Sequence, residues 1–200
     1  MIFVTVGAQM PFDRLIRVVD EWAGRHQRTD VFAQIGQAQY QPRHIRSCES
    51  MGPDEFHATL EAANAVVAHA GMGSIISAVE RRKPILVMPR RSDLGETRND
   101  HQVATARQFG ALGLVEVAMD EHELAAKLER IDELQAAPGP DGRASPHCVM
   151  CPFADKPERC AQRAVTSACP HLLSAVHAFL AEEHPAIEQY AIAPAAAGIA

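Results

Sequence analysis

Short apolar runs alternate with longer amphipathic stretches along the first 135 or so residues of this 200-residue chain. Residues 2–6, 31–35, 66–68, 85–88 and 114–117 are almost wholly aliphatic or β-branched, which predicts strands buried on both faces. Residues 44–48 are a shorter strand candidate. Between the strands, residues 11–24 repeat Leu15, Ile16, Val18, Val19 and Trp22 at helical spacing, and Pro11 suits a first helical turn. Residues 53–63 carry Phe56 and Leu60 on one face. Residues 74–82 predict a helix stopped by Lys83-Pro84, and residues 98–109 and 121–136 complete the series. Strand–helix alternation with apolar strands predicts an α/β, Rossmann-like, doubly wound parallel sheet, whose ligands sit at the carboxyl ends of strands.

The pattern changes at Pro138. Residues 138–146 read as a Pro/Gly-rich linker, dividing the chain into a domain over 1–137 and an extension over 138–200. The extension holds cysteines and a predicted helix over 170–183. The apolar side of that helix (Leu172, Leu173, Val176, Phe179, Leu180) is expected to pack on the core or on a partner.

Composition is that of a soluble globular chain, with 47% hydrophobic and 22% charged residues. A formal charge of −6 argues against nucleic acid as a partner. Met1 leads straight into an apolar strand with no charged leader, and no apolar run approaches the roughly 20 residues that span a bilayer. A cytoplasmic location with mostly reduced thiols is expected for the five cysteines. Arg81-Arg82-Lys83 reads as a solvated helix end. Arg90-Arg91 reads either the same way or as arginine near a phosphate.

The informative segment is His69-Ala70-Gly71-Met72-Gly73-Ser74. A buried strand runs into a turn with two glycines and then into a helix. Glycine allows close backbone approach, and a helix start offers unpaired N–H groups and partial positive charge; together these make a diphosphate site. Ser74 is expected either to cap the helix or to donate to a phosphate oxygen. A plain strand-to-helix turn is the competing reading. The next strand opens a polar loop, residues 90–102, whose amide, carboxylate and imidazole groups suit sugar hydroxyls.

His69-Ala70-Gly71-x-Gly73-Ser74, Lys83-Pro84-Ile85-Leu86-Val87-Met88-Pro89 and Asn99-Asp100-His101-Gln102 resemble the glycosyltransferase family 28 C-terminal domain, the donor-binding half of GT-B enzymes. The resemblance covers about residues 1–135. Within the family the chain is most similar to the stand-alone PssE-type exopolysaccharide subunits, which are related to the catalytic subunit of the dolichol-linked GlcNAc transferase. The resemblance implies a UDP-sugar donor, with Gly71, Gly73 and Ser74 at the diphosphate and His69 beside it. It also implies sugar contacts from Asn99, Asp100, His101 and Gln102, and approach of Gly7 and Gln9 to the diphosphate and cleft. Arg14 is a further diphosphate candidate. Many GT-B enzymes bind ribose with a glutamate where this chain has Ser77; Glu80, one turn further on, is the candidate substitute.

Inverting transfer needs a stabilised diphosphate and a base, and the helix start supplies the first without a metal cofactor. His69 or His101 is a candidate base, although in related enzymes base and acceptor site lie largely in the other half. The expectation is a donor-binding subunit that binds donor weakly alone and transfers with a membrane-associated acceptor-binding partner. The alternative is a non-catalytic UDP-sugar-binding or regulatory module. Separately, Cys148, Cys151, Cys160 and Cys169 form a C-x2-C-x8-C-x8-C array flanked by His147 and His171. A structural zinc, plain reduced thiols, and a disulfide or iron–sulfur cluster are all open for it.

Overall fold

The computed structural model describes residues 1–135. The elements run β1 (Ile2–Thr5), α1 (Asp13–Arg25), β2 (Val31–Gln34), β3 (Arg46–Cys48), α2 (Pro53–Ala62), β4 (Ala65–His69), α3 (Met72–Glu80), β5 (Ile85–Met88), α4 (His101–Ala111), β6 (Glu116–Val117), α5 (Glu121–Leu128) and α6 (Ile131–Gln135). The strands form one parallel sheet in the order β3-β2-β1-β4-β5-β6. The fold is therefore the expected Rossmann-like α/β architecture. The cysteine array, the linker, the boundary at 137/138 and the predicted helix over 170–183 lie outside the described residues.

Strand parity explains why the strands are apolar throughout. Ile2, Val4 and Val6 join one core with Leu15, Ile16, Val19 and Trp22 of α1 and Leu124 and Leu128 of α5. Phe3, Val66, Ala68 and Val87 face the other core, built with Leu60 of α2, Ile75 and Ala78 of α3, and Ala106 and Phe109 of α4. Alternate side chains thus serve opposite faces, so no position on a central strand is free to be polar until the strand ends. Among the described residues, no helix is long and apolar enough to cross a membrane.

Element boundaries shift where a backbone group has another use. The third strand begins at Arg46, not residue 44, because the His44 and Ile45 amides donate to Asp20 Oδ1. Helix α1 starts at Asp13, two residues after the proline expected in its first turn. The sixth strand is only Glu116–Val117, since Leu114 N–H closes the end of α4 on Phe109 O. The single helix expected over 121–136 is two: Arg130 N–H turns back to Lys127 O, breaking the run while Leu128 and Ile131 both stay buried. The start of α5 is a reciprocal capping box, with Asp120 Oδ1 accepting Glu123 N–H and Glu123 Oε2 accepting Met119 N–H.

The chain steps outward from β1 through β2 to β3, and from β4 through β5 to β6 toward the opposite edge. The switch point lies between β1 and β4. In folds of this topology the connections diverge at that point and the ligand crevice lies at the carboxyl ends of the flanking strands.

Candidate functional site

Polar groups appear where the strands enter this crevice. At the end of β1 the buried Thr5 hydroxyl donates to Gln34 Oε1 at 2.8 Å and accepts Gly7 N–H at 3.2 Å. Gly7 has a φ of +75°, turning the following loop sharply away. At the end of β4 the His69 ring lies between the two glycine-containing turns. A Cβ at Gly7 would sit 2.8 Å from His69 Cε1, and one at Gly71 would overlap His69 Nε2. Both glycines therefore first make room for an imidazole, a role the sequence did not reveal. Among the described residues a Cβ at Gly73 would meet nothing within 4 Å, so that glycine borders open space there.

Burial first, and then the Arg90 charge, push the His69 pKa down to about 4, against a weaker upward pull from the Thr5 carbonyl 3.4 Å from Nδ1. At neutral pH the ring is uncharged and only weakly basic. It can give or take a hydrogen bond at the floor of the crevice.

Helix α3 rises from the same turn. Gly71 is its N-cap in extended conformation, no side chain caps it, and no acidic residue stands in its first turn. The expectation that Ser74 caps the helix is corrected: the helix starts two residues earlier, at Met72, which puts Ser74 inside the first turn. The first amides of α3 are thus available to an anion. Ser77 is half-buried on the same helix. Glu80 ends α3, about 9 Å along the axis from Ser74, and its carboxylate lies 3.9 Å from Arg81. Glu80, the candidate substitute at the ribose, thus stands at the opposite end of the helix from the turn.

The loop over residues 89–100 forms the other lip, and internal bonds shape it. Glu96 takes Arg14 through two 2.7 Å bonds and accepts Arg91 N–H at 2.9 Å. Asp100 Oδ1 accepts Ser92 N–H, also at 2.9 Å. Asn99 Oδ1 pairs with His101 Nδ1, so α4 starts at His101, not at residue 98. Asn99, Asp100 and His101 are exposed on this lip; Gln102 is buried, its Oε1 accepting Arg90 N–H at 3.1 Å. Gln9 is exposed on the facing loop.

Arginines near the crevice do different work. Arg14, expected as a diphosphate contact, has its fork on Glu96 and Glu121, with a further bond to Pro89 O. Arg91 is held by Asp93. Arg90 is 4% exposed and turns inward to backbone carbonyls, not outward to a phosphate site. Sequence reasoning missed Thr5, Gln34, Glu96 and the direction of Arg90. The one available signal was a pair of polar residues, Thr5 and Gln34, at the matched ends of two apolar strands.

The model of the glycosyltransferase family 28 C-terminal domain matches residues 1–147. The UDP-N-acetylglucosamine transferase subunit ALG13 of Eremothecium gossypii is 40% identical over 91 residues, which cover 42% of this chain and 43% of that relative. The match therefore spans less than half of the relative's length. Among solved structures, the glycotransferase of kitacinnamycin superposes with a TM-score of 0.51 at 18% identity, covering 91% of this chain and 42% of that one. MurG of Acinetobacter baumannii gives 0.51 at 13% identity, covering 82% of this chain and 49% of that one. At those identities the two structures speak for the fold alone.

Proposed function

This chain belongs to the glycosyltransferase family 28 C-terminal domain family, and from that premise we propose that it is the donor-binding catalytic subunit of a two-part inverting glycosyltransferase. It takes a sugar from a UDP-sugar to a lipid-linked or polysaccharide acceptor. The observation that carries this reading is the uncapped start of α3 at the sheet's switch point, bordered by open space at Gly73. A diphosphate seated on the amides of residues 72–74 meets fixed dipoles that need no reorganisation as negative charge builds on the leaving group. No metal is required for that step. Gly7 and Gln9 flank the diphosphate, and Asn99, Asp100, His101 and the free side of Gln102 face the sugar. His69, neutral beneath the turn, hydrogen-bonds the donor.

His69, with its pKa lowered to about 4, is a weak base. In this reading the acceptor site and the base belong largely to a partner subunit, which also brings the protein to the membrane from the cytoplasm. The subunit relationship has support from the similarity to ALG13, whose name describes a transferase subunit. The second reading, a UDP-sugar-binding module without transfer, is favoured by Ser77 standing in a helix that has no carboxylate before Glu80.

Calorimetric titration with UDP, UDP-GlcNAc and UDP-glucuronate, followed by a transfer assay with the partner present, separates the readings. Binding together with partner-dependent transfer is the expected result. Binding without transfer favours the module, and no binding of any UDP compound overturns both.

A further inference from the structure

Arg90 lies one residue beyond Pro89, where β5 enters the crevice, yet its side chain points away from it. Its guanidinium donates from Nη2 to Val6 O at 2.7 Å and to Met10 O, and from Nε to Pro11 O at 3.3 Å. The Phe12 ring lies 5.1 Å beneath. Among the described residues no carboxylate bonds to it directly. Its own backbone N–H donates to Gln102 Oε1 in the first turn of α4. One residue thereby joins three segments that line the crevice: the first loop over residues 6–12, the exit of β5, and the start of α4.

A cation buried with only carbonyl partners is retained where those carbonyls need a fixed arrangement. Here they belong to the loop that contains Gly7, whose positive φ and missing Cβ make the seat for His69. We infer that Arg90 is a positioning residue for the donor crevice, holding the loop over residues 6–12 in the shape that seats His69 and leaves Gln9 on the crevice wall. This rests on the donor-binding reading above. Lysine keeps the charge but has no planar fork, so it cannot hold three carbonyls in this arrangement or lie flat on Phe12.

The test is Arg90→Lys in the full chain, with amide hydrogen exchange read at the start of the loop, where the Val6 and Gly7 amides are hydrogen-bonded to Gln34 O and Thr5 Oγ1, and, as an internal control, in α5. The expected result is exchange faster by about tenfold or more in the loop with α5 unchanged, and UDP affinity lower by about tenfold. A residue serving stability alone would raise exchange everywhere in proportion to lost stability and leave the affinity of the folded protein intact. Either of those results overturns the inference. If Arg90→Lys does not fold, the wild-type chain still decides: gripped Arg90 side-chain N–H protons give separate, slowly exchanging NMR signals, whereas averaged, fast-exchanging signals contradict the proposal. If the wild type binds no UDP compound, the functional reading fails, while loop exchange still judges Arg90 as the holder of this loop.

Discussion

Two buried ions sit on opposite flanks of β1, and their different surroundings separate what stabilises this domain from what shapes its site. Asp20, in the middle of α1, is 0% exposed and accepts the Arg43, His44 and Ile45 amides and the Tyr40 hydroxyl. Its anchored segment is the connection between β2 and β3, at the sheet edge. Arg90 is the electrical opposite, a cation among carbonyls, and its anchored segment lines the crevice. In both cases the backbone itself solvates a charge that would otherwise be costly to bury. The same device fixes an edge loop in one place and a loop of the proposed donor site in the other.

The largest expected effect comes from removing either ion and comparing what else is lost. Asp20→Ala leaves three amides and a hydroxyl without their acceptor, and should lower unfolding free energy by about 3 kcal/mol. UDP affinity of the folded protein should be unchanged. Arg90→Met leaves three carbonyls without their donor, should destabilise by a similar ~3 kcal/mol and abolish UDP binding as well. Urea unfolding and UDP titration on both variants check this; equal loss of affinity in the two would erase the distinction.

A smaller effect should split the two glycines of the turn. Gly71→Ala forces a methyl group into the His69 ring and should lose roughly 1–3 kcal/mol of stability, with weaker donor binding. Gly73→Ala meets open space, so its stability should stay within about 0.5 kcal/mol of wild type. Its UDP affinity should nevertheless fall, because the added methyl stands where ligand must approach.

The smallest effect is in pH dependence, and it sharpens the contrast between the two regions. The folded pKa of His69, about 4, is below its unfolded value of about 6.5. Between those values the unfolded chain holds a proton that the folded chain does not, so this contribution to stability is full above 6.5 and lost as pH falls toward 4. Asp20 behaves differently. Burial raises its pKa, but the Arg43 and His44 amides and the Tyr40 hydroxyl more than compensate and hold it below the usual carboxylate range. Its contribution is full above about pH 5 and is lost as pH falls through the unfolded value of 3.8 toward the lower folded one. His69→Gln should flatten the stability profile between pH 6.5 and 4 by up to ~3 kcal/mol at the acid end, while Asp20→Asn should leave the slope above about pH 5 unchanged.

The sequence carried the fold because parity and helical spacing are local patterns. Alternate residues of β1 and β4 had to serve two cores, and α1 showed its apolar stripe. It also located the α3 turn through Gly71 and Gly73. The ions were not legible, because their partners are remote: Asp20 bonds to residues 20–25 positions away, Arg14 to Glu96 82 away, and Arg90 to Val6 84 away. No spacing rule announces such a pairing. A carboxylate on the apolar stripe between Val19 and Trp22 was the one visible anomaly. Arg14 entered the donor set through the family resemblance and Glu80 as the carboxylate one turn beyond Ser77; the carboxylate fork that holds one, and the place of the other at the far end of its helix, appear only in the structure.

Donor binding as proposed seats the diphosphate of a UDP-sugar in the crevice at the β1–β4 switch point. An amide NMR titration of the full chain with UDP-GlcNAc and with UDP tests this. Shifts are expected to concentrate at residues 7–9, 71–74 and 99–102, with the Asp20-anchored loop over residues 36–45 unmoved. Saturable shifts confined to that edge loop, or no saturable shift in the residue 71–74 amides with either ligand, would contradict it.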